Sequence, residues 1–256
     1  MIRRIAIFAF GSVSYLIFLA TFLYALGFVG GFLVPTTLDG AARMPFGPAL
    51  AIDLGLLMLF AVQHSAMARP AFKRAWTRVV PQPLERPIYV LASSLCVIAM
   101  FALWQPLGGV VWNLESTLAR SLAYALFFFG WGLVLVTTFL INHFDLFGLR
   151  QVWFALRDRP YTRVKFVEPG PYKVIRHPLY VGWLFAFWST PTMTLAHLTF
   201  ALATTAYILV AIQLEERDLV AEHGAAYDSY RRRVPMLVPG TARRTSPSVV
   251  DDATAV

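Results

Sequence analysis

The sequence predicts an all-α fold, a polytopic membrane helix bundle with four full spans, a C-terminal helical hairpin, and both termini in the cytoplasm. Of the residues, 58% are hydrophobic and 14% are charged, whereas about a quarter of the residues in a soluble domain are charged. Several stretches exceed the roughly 18 uncharged apolar residues that cross a bilayer. The basic residues concentrate in alternate loops. These observations exclude a soluble globular domain.

The first apolar segment, residues 5–34, carries no charged residue. A secretory signal is the alternative, because Arg3 and Arg4 precede it, but the apolar run is too long and lacks a clear cleavage site. We therefore expect a retained helix. The later apolar segments occupy residues 49–68, 88–104, 121–142, 178–190 and 192–214. Because only the turn at Thr190-Pro191 joins the last two, they are predicted to form a helical hairpin.

The loops alternate between basic and neutral composition. Arg43 and Arg120 are the only lysines or arginines outside one set of loops and the two ends of the chain. That set comprises residues 69–87, 143–177 and 215–256, together with the N-terminus. The positive-inside rule places this set in the cytoplasm. We therefore expect an N-in, C-in topology in a bacterial inner membrane, with the functional site at the cytoplasmic face.

The chain is predicted to form one domain, residues 1–239, followed by a small, polar, aperiodic tail at 240–256 that is typical of disorder. Cys96 lies inside an apolar segment, so neither a disulfide nor a thiolate metal site is expected. The net charge of +8 indicates orientation and contact with membrane lipid rather than nucleic acid. No protein partner can be inferred.

Ionisable residues in or beside apolar segments are the first candidates for function, because charge within a membrane is costly. Asp53 and His197 lie at outer ends of segments, where water or headgroups would satisfy them. Four other groups share one depth at the cytoplasmic ends of separate helices, and a bundle can bring such groups together. They are His64, His143, His177 and Glu215. The alternative is that each histidine is an interfacial residue bonded to the backbone.

Other cofactor sites are not expected. No histidines are spaced i, i+4 with a supporting cysteine, so no metal is predicted. No G-x-G-x-x-G motif follows a strand, which excludes a dinucleotide fold of the Rossmann type.

The stretch "PGPYKVIRHPLYVGW" places an Arg-His-Pro step at the start of an apolar helix. Pro178 suits the first helical turn, whose free N–H groups attract an anion. Arg176 and His177 add donors there, while Tyr180 and Gly182 offer a phenol and close backbone approach. The alternative is an interfacial anchor belt.

This stretch, followed by "EERDLVAEHGAAYDSYRRRVPMLVP", resembles the C-terminal core of the isoprenylcysteine carboxyl methyltransferase superfamily over residues 165–239. The matching motifs are the RHPxYxG step, a Glu-Glu pair and a G-x-x-Y-x-x-Y segment. Upstream, "QHSAMARPAFK", "ERPIYVL" and "INHFDLFGLRQVW" resemble the branch that methylates methanethiol to dimethyl sulfide. A nitric-oxide-associated membrane family shares parts of these upstream segments.

The resemblance implies a binding site for S-adenosyl-L-methionine at the cytoplasmic face. Arg176 and His177 would meet its carboxylate, and Glu215 or Glu216 its amino group or ribose. The residues expected at this site are Tyr172, Arg176, His177, Tyr180, Gly182, Glu215, Glu216, Tyr227 and Tyr230.

A small alkyl thiol has a pKa above the roughly 8.5 of cysteine, so a nearby base would help its reaction. His143 is the first candidate base, with Asp145 orienting it and His64 as the alternative. Arg150 and Gln151 are expected to shape the acceptor pocket.

Two other functions remain open at the level of sequence, and a third is not expected. A prenylcysteine carboxylate or a lipid could be the methyl acceptor. A sterol-reductase-like protein would need more spans than this chain can form. A non-catalytic protein, such as a transporter or a factor linked to nitrogen-oxide metabolism, would not need the methyl donor.

Overall fold

The computed structural model describes residues 1–162, 164 and 166–241. Within these residues the chain is almost entirely helical, with one pair of short strands and one 3-10 turn at Gly170–Lys173. The helices are α1 Ile2–Gly30, α2 Phe46–Ala68, α3 Pro70–Trp76, α4 Gln82–Leu103, α5 Thr117–Ile141, α6 His143–Leu146, α7 Leu149–Leu156, α8 Pro178–Trp188, α9 Leu195–His223 and α10 Ala225–Arg233. The strands are β1 Val110–Asn113 and β2 Thr192–Thr194.

Five helices, α1, α2, α4, α5 and α9, are long and apolar enough to cross a membrane. This confirms a polytopic helical membrane protein. Helix α8 has only 11 residues, a length of about 16 Å, so it reaches across only about half of a hydrocarbon core roughly 30 Å thick.

The predicted hairpin differs from the observed one in length and in its turn. Helix α9 continues for 29 residues to His223, past the predicted end at 214, because charged residues such as glutamate and arginine are good helix formers. The turn before it forms β2, which pairs antiparallel with β1 through Val110 and Thr194. Local hydropathy detects neither feature. The last part of α9 is polar, and β2 forms only by pairing with a strand that is distant in sequence.

One end of the bundle, here called the strand end, closes over the connection between α1 and α2. The Trp104 indole donates to the Leu38 carbonyl at 3.1 Å. Asp53 and His197, expected in water or among headgroups, are instead 0% and 1% exposed. Asp53 accepts a hydrogen bond from the backbone N–H of Gln105, and the Asp39 carboxylate lies 3.3 Å from the His197 ring.

The short helix α8 is fixed by its crossing with α5. A Cβ atom on Gly130 would lie 2.6 Å from the Gly182 carbonyl oxygen, and one on Gly182 would lie 2.8 Å from a Val134 methyl group. The two backbones therefore touch, which only glycine permits. This crossing sets where α8 begins at the end of the bundle opposite to the strands.

At that opposite end, ion pairs join the helices to their loops. Arg4 binds Asp158 at 2.6 Å, just after α7, and Arg69 at the end of α2 binds Asp218 on α9 at 2.8 Å. The N-terminus, the basic loops and the C-terminal end of α9 therefore share this end, as the alternating loop composition requires.

Candidate active site

The Arg-His-Pro step lies at the N-terminal end of α8, as predicted. His177 is the N-cap residue and Pro178 is the first residue of the helix. The Arg176 and His177 amides donate to the Pro235 and Met236 carbonyls at 2.8 and 3.2 Å. The start of α8 is thus held against the segment that follows α10.

A single carboxylate holds both basic side chains of the step. The Arg176 Nε atom donates to Glu216 Oε1 at 2.7 Å, and His177 Nε2 lies 3.0 Å from the same oxygen. Arg176 also donates to the Arg231 and Val234 carbonyls at the end of α10. Arg176 therefore works largely as a clamp between α8, α9 and α10, although the sequence suggested a direct role in anion binding.

The adjacent carboxylate, Glu215, has a different neighbour. Its Oε2 atom accepts the Tyr180 hydroxyl at 2.9 Å. Successive residues of a helix point about 100° apart, so Glu215 and Glu216 face different sides of α9. Only Glu216 belongs to the clamp.

Three tyrosines from outside the spans border this region. Tyr227 and Tyr230 are both 2% exposed, and the Tyr230 hydroxyl donates to the Tyr172 carbonyl at 2.7 Å. Burial, followed by the charge of Glu215, raises the pKa of Tyr172, and burial followed by Glu216 raises that of Tyr227. Burial, followed by Glu168, raises the pKa of Tyr230 to about 12. All three are neutral phenols at physiological pH.

Among the described residues, the Tyr227 hydroxyl is one of the buried polar groups without a hydrogen-bond partner. Leaving such a group unpaired costs about 1–3 kcal/mol. A ligand that bonds this hydroxyl would recover that free energy.

His64 lies in a second polar cluster, formed by α2, α4 and α9. The Tyr89 hydroxyl lies 2.8 Å from His64 Nε2, and Ser93 Oγ lies 3.2 Å from His64 Nδ1. Ser65 bonds the Tyr207 hydroxyl at 3.1 Å. The Ser65–Tyr207 bond joins this cluster to α9, the helix that also carries Glu215.

His143, the first candidate base, lies elsewhere. Its Nε2 atom is 2.9 Å from the Tyr15 hydroxyl and its Nδ1 atom is 2.8 Å from Thr138 Oγ1. Its ring stacks on Phe139 at 4.2 Å, and burial lowers its pKa. Both ring nitrogens are engaged among α1 and α5 residues, which is the environment of a packed histidine rather than of a base facing Glu215.

Asp145 does not orient His143. It accepts from Arg150 at 3.0 Å and from the Tyr161 hydroxyl at 3.0 Å. The Gln151 amide donates to the Asp145 carbonyl, while its buried Oε1 atom lacks a partner. Arg150 and Asp145 therefore brace the loop after α7, and Gln151 leaves an unpaired acceptor beside them.

A cavity of about 1010 Å³ opens at this end of the bundle. It lies among α3, the start of α4, the α6–α7 corner and the end of α9, and both signs of charge line it. Its walls include Lys73, Arg86, Asp145, Gln151, Tyr161 and Asp218. Burial, followed by the charge of Arg86, lowers the pKa of Lys73. The volume is at the upper end of those of small-molecule sites.

The sequence analysis did not single out Tyr89 and Tyr207. Both phenols lie within apolar segments, where a hydroxyl group needs a partner. That need could have marked both tyrosines as candidates. Their partners, His64 and Ser65, lie on another helix, so the sequence could not identify them. Across the residues that the structure describes, no three histidine, cysteine or acidic side chains converge as a metal site would require.

Comparisons with known proteins show which family this chain is similar to. A family model described as "Phospholipid methyltransferase" matches residues 118–224, which include α8 and α9. "Methanethiol S-methyltransferase" of Crocosphaera subtropica is 51% identical and covers 95% of this chain and 96% of its own. The protein of the same name from Mycobacterium tuberculosis is 49% identical over 95% of this chain and all of its own.

A more distant relative is "Nurim" of Rattus norvegicus, 32% identical over 67% of this chain and 68% of its own. No solved structure matches the chain significantly.

Proposed function

Because the chain belongs to the family of methanethiol S-methyltransferases, we propose that it methylates methanethiol to dimethyl sulfide with S-adenosylmethionine as methyl donor. The names of its relatives favour a thiol over a prenylcysteine carboxylate or a lipid as the acceptor.

The observation that carries this proposal is that two adjacent carboxylates of α9, near the start of α8, have different hydrogen-bond partners. Glu216 is neutralised by Arg176 and His177, whereas Glu215 accepts one hydrogen bond, from Tyr180, among the described residues. Glu215 therefore keeps lone pairs and negative charge for a cationic ligand. S-adenosylmethionine, when bound, supplies a methyl group on a positively charged sulfur and carries an ammonium group.

The surrounding residues fit such a ligand. The unpaired Tyr227 hydroxyl offers a hydrogen bond, and the rings of Tyr172, Tyr227 and Tyr230 offer faces that attract a cation. The first amides of α8 remain for a carboxylate. Arg176 and Glu216 would hold this frame in place, and Gly182 would contribute by its contact with α5.

The acceptor side is proposed to lie toward the His64 cluster. Methyl transfer to a neutral thiol releases a proton, so a base close to the thiol raises the rate. His64 takes this role in our proposal, because its cluster is bonded to α9, the helix that carries Glu215, through Ser65 and Tyr207. Positioning of the two reactants supplies most of the remaining acceleration.

The site is proposed to face the cytoplasm of a bacterial inner membrane. The end of the bundle that carries the cavity also carries the N-terminus and all the described lysines and arginines except Arg43 and Arg120. A water-soluble methyl donor would enter there, and the apolar thiol would reach the site through the membrane or the same cavity.

The test is dimethyl sulfide formation by the full chain in detergent, measured by headspace gas chromatography, together with binding of S-adenosylmethionine. We expect the native protein to form dimethyl sulfide and Glu215→Gln to lose cofactor affinity about tenfold or more, as for a lost charged hydrogen bond. Glu115→Gln, an exposed carboxylate at the strand end, is the matched control.

Cofactor binding without dimethyl sulfide would mean that the acceptor is wrong. If the native protein neither binds S-adenosylmethionine nor forms dimethyl sulfide, the methyltransferase proposal fails.

A further inference from the structure

We propose that the cavity opposite to the strand end holds the adenosine half of S-adenosylmethionine, with the adenine ring stacked on Tyr161. This inference rests on the proposed function and deepens it. The residues that we assign to the charged groups of the cofactor do not line the cavity, so the adenosine half still needs a place.

One face of α9 leads from Glu215 into the cavity. Asp218 and Glu222 line the cavity and follow Glu215 by three and seven residues on the same helix. Residues at this spacing share a helix face, and Asp218 lies about 4.5 Å farther along the axis. A cofactor whose ammonium group contacts Glu215 therefore has the cavity next to it.

Two aromatic rings form one wall of the cavity. Phe154 on α7 and Tyr161 both line it, with ring centroids 6.4 Å apart and ring planes at 73°. The Arg150 guanidinium lies 5.0 Å from the Phe154 ring and 5.4 Å from the Tyr161 ring, but Arg150 does not line the cavity. Arg150 therefore packs on the rings from outside the cavity and supports the wall.

The Tyr161 ring is open to a ligand. Its hydroxyl donates to the Asp145 carboxylate at 3.0 Å, which fixes the ring, and yet the residue is 37% exposed. Stacking of a base on such a ring needs only the flat faces of the two groups. A planar adenine therefore fits this wall.

The other walls suit an uncharged nucleoside. Four basic and four acidic side chains line the described part of the cavity, apart from His223, so the walls favour neither an anion nor a cation. Asp218 pairs with Arg69 through Oδ2 at 2.8 Å and has lone pairs left for hydroxyl donors. Carboxylates bind ribose hydroxyls in dinucleotide sites in this way, so we assign the ribose to Asp218.

The experiment measures the dissociation constant of S-adenosylhomocysteine by titration calorimetry, for the full chain in detergent. We expect Tyr161→Leu to raise this constant about 10- to 100-fold, the usual contribution of one base stacked on an aromatic ring. Tyr161→Phe loses the bond to Asp145 but keeps the ring, so it should retain most of the affinity. Tyr124→Leu on α5, the same change away from the cavity, should match the native protein.

Photolabelling locates the adenine in the native protein without any substitution. The probe is 8-azido-S-adenosylmethionine, which carries its photoreactive group on the adenine ring, and mass spectrometry identifies the labelled residues. We expect the label on Phe154 or Tyr161, and an excess of unmodified S-adenosylmethionine should prevent the labelling.

Native affinity in Tyr161→Leu would overturn this inference. Equal losses in Tyr161→Leu and Tyr161→Phe would also overturn it, because the bond to Asp145 would then explain both. A label confined to Tyr172, Tyr227 and Tyr230 would place the adenine elsewhere. A native protein that binds neither S-adenosylhomocysteine nor S-adenosylmethionine would instead refute the proposed function, so the two failures are distinguishable.

Discussion

At the scale of single residues, position on a helix decides what each ionisable group does. Glu215 and Glu216 are neighbours in sequence, yet one binds a tyrosine and the other binds an arginine and a histidine. Burying the Arg176–Glu216 pair is costly unless further hydrogen bonds satisfy both groups. The carbonyls at the end of α10 and the His177 ring supply those bonds.

His143 gives a prediction at the same scale. Because burial lowers its pKa below 6.5, the unfolded chain takes up the proton before the folded one does as pH falls. Its contribution to stability is therefore complete above pH 6.5 and is lost as pH falls toward the lower folded pKa. His143→Gln should destabilise the protein at pH 7.5 by about 1–3 kcal/mol, because the Tyr15 hydroxyl loses its partner and Thr138 loses one of its two hydrogen bonds. The loss of stability between pH 7.5 and 5.5 should be smaller in this variant than in the native protein.

Thermal unfolding in detergent at the two pH values checks this expectation. The turnover of folded His143→Gln at pH 7.5 should equal that of the native protein, because its ring bonds Tyr15 and Thr138 rather than residues of the His64 cluster. A loss of turnover that recovers at high pH would return His143 to the role of base.

At the scale of elements, the crossing of α5 and α8 sets the geometry of the site. Helix α8 is too short to span the membrane, so its place depends on its neighbours. The contact of Gly130 with Gly182 lets the two backbones touch and fixes the depth of His177. Helix α9, longer than predicted, carries the two carboxylates to that depth from the strand end.

This crossing yields a second prediction. Gly182→Ala would place a Cβ atom 2.9 Å from the Gly130 carbonyl oxygen, so we expect a loss of about 1–3 kcal/mol from overpacking and weaker cofactor binding. Gly132→Ala on the same α5 helix is the matched control, since no atom lies within 4 Å of the added group. It should be neutral or more stable by up to about 1 kcal/mol. Equal effects in both variants would contradict the role of the crossing.

At the scale of the whole molecule, charge separates the two ends of the bundle. The strand end carries Arg43 and Arg120, and the opposite end carries the other described basic residues beside the cavity. The positive-inside rule therefore predicts that the cavity faces the cytoplasm.

Labelling of single cysteines in intact cells tests this orientation. In a chain with Cys96→Ser, we expect Glu115→Cys at the strand end to react with a membrane-impermeant maleimide. Thr77→Cys at the opposite end should react only after the cells are opened. Both positions are exposed, so the reverse pattern would mean the opposite orientation.

The sequence by itself determined the long apolar helices and the start of α8 at Pro178. These features depend on transfer free energy and backbone preference, which are properties of local sequence. The tertiary structure alone decided that Arg176 binds Glu216, that His143 is packed against Tyr15, and that Tyr89 bonds His64. Those contacts join residues up to 128 positions apart, and their distances depend on how the helices pack, which no local pattern encodes.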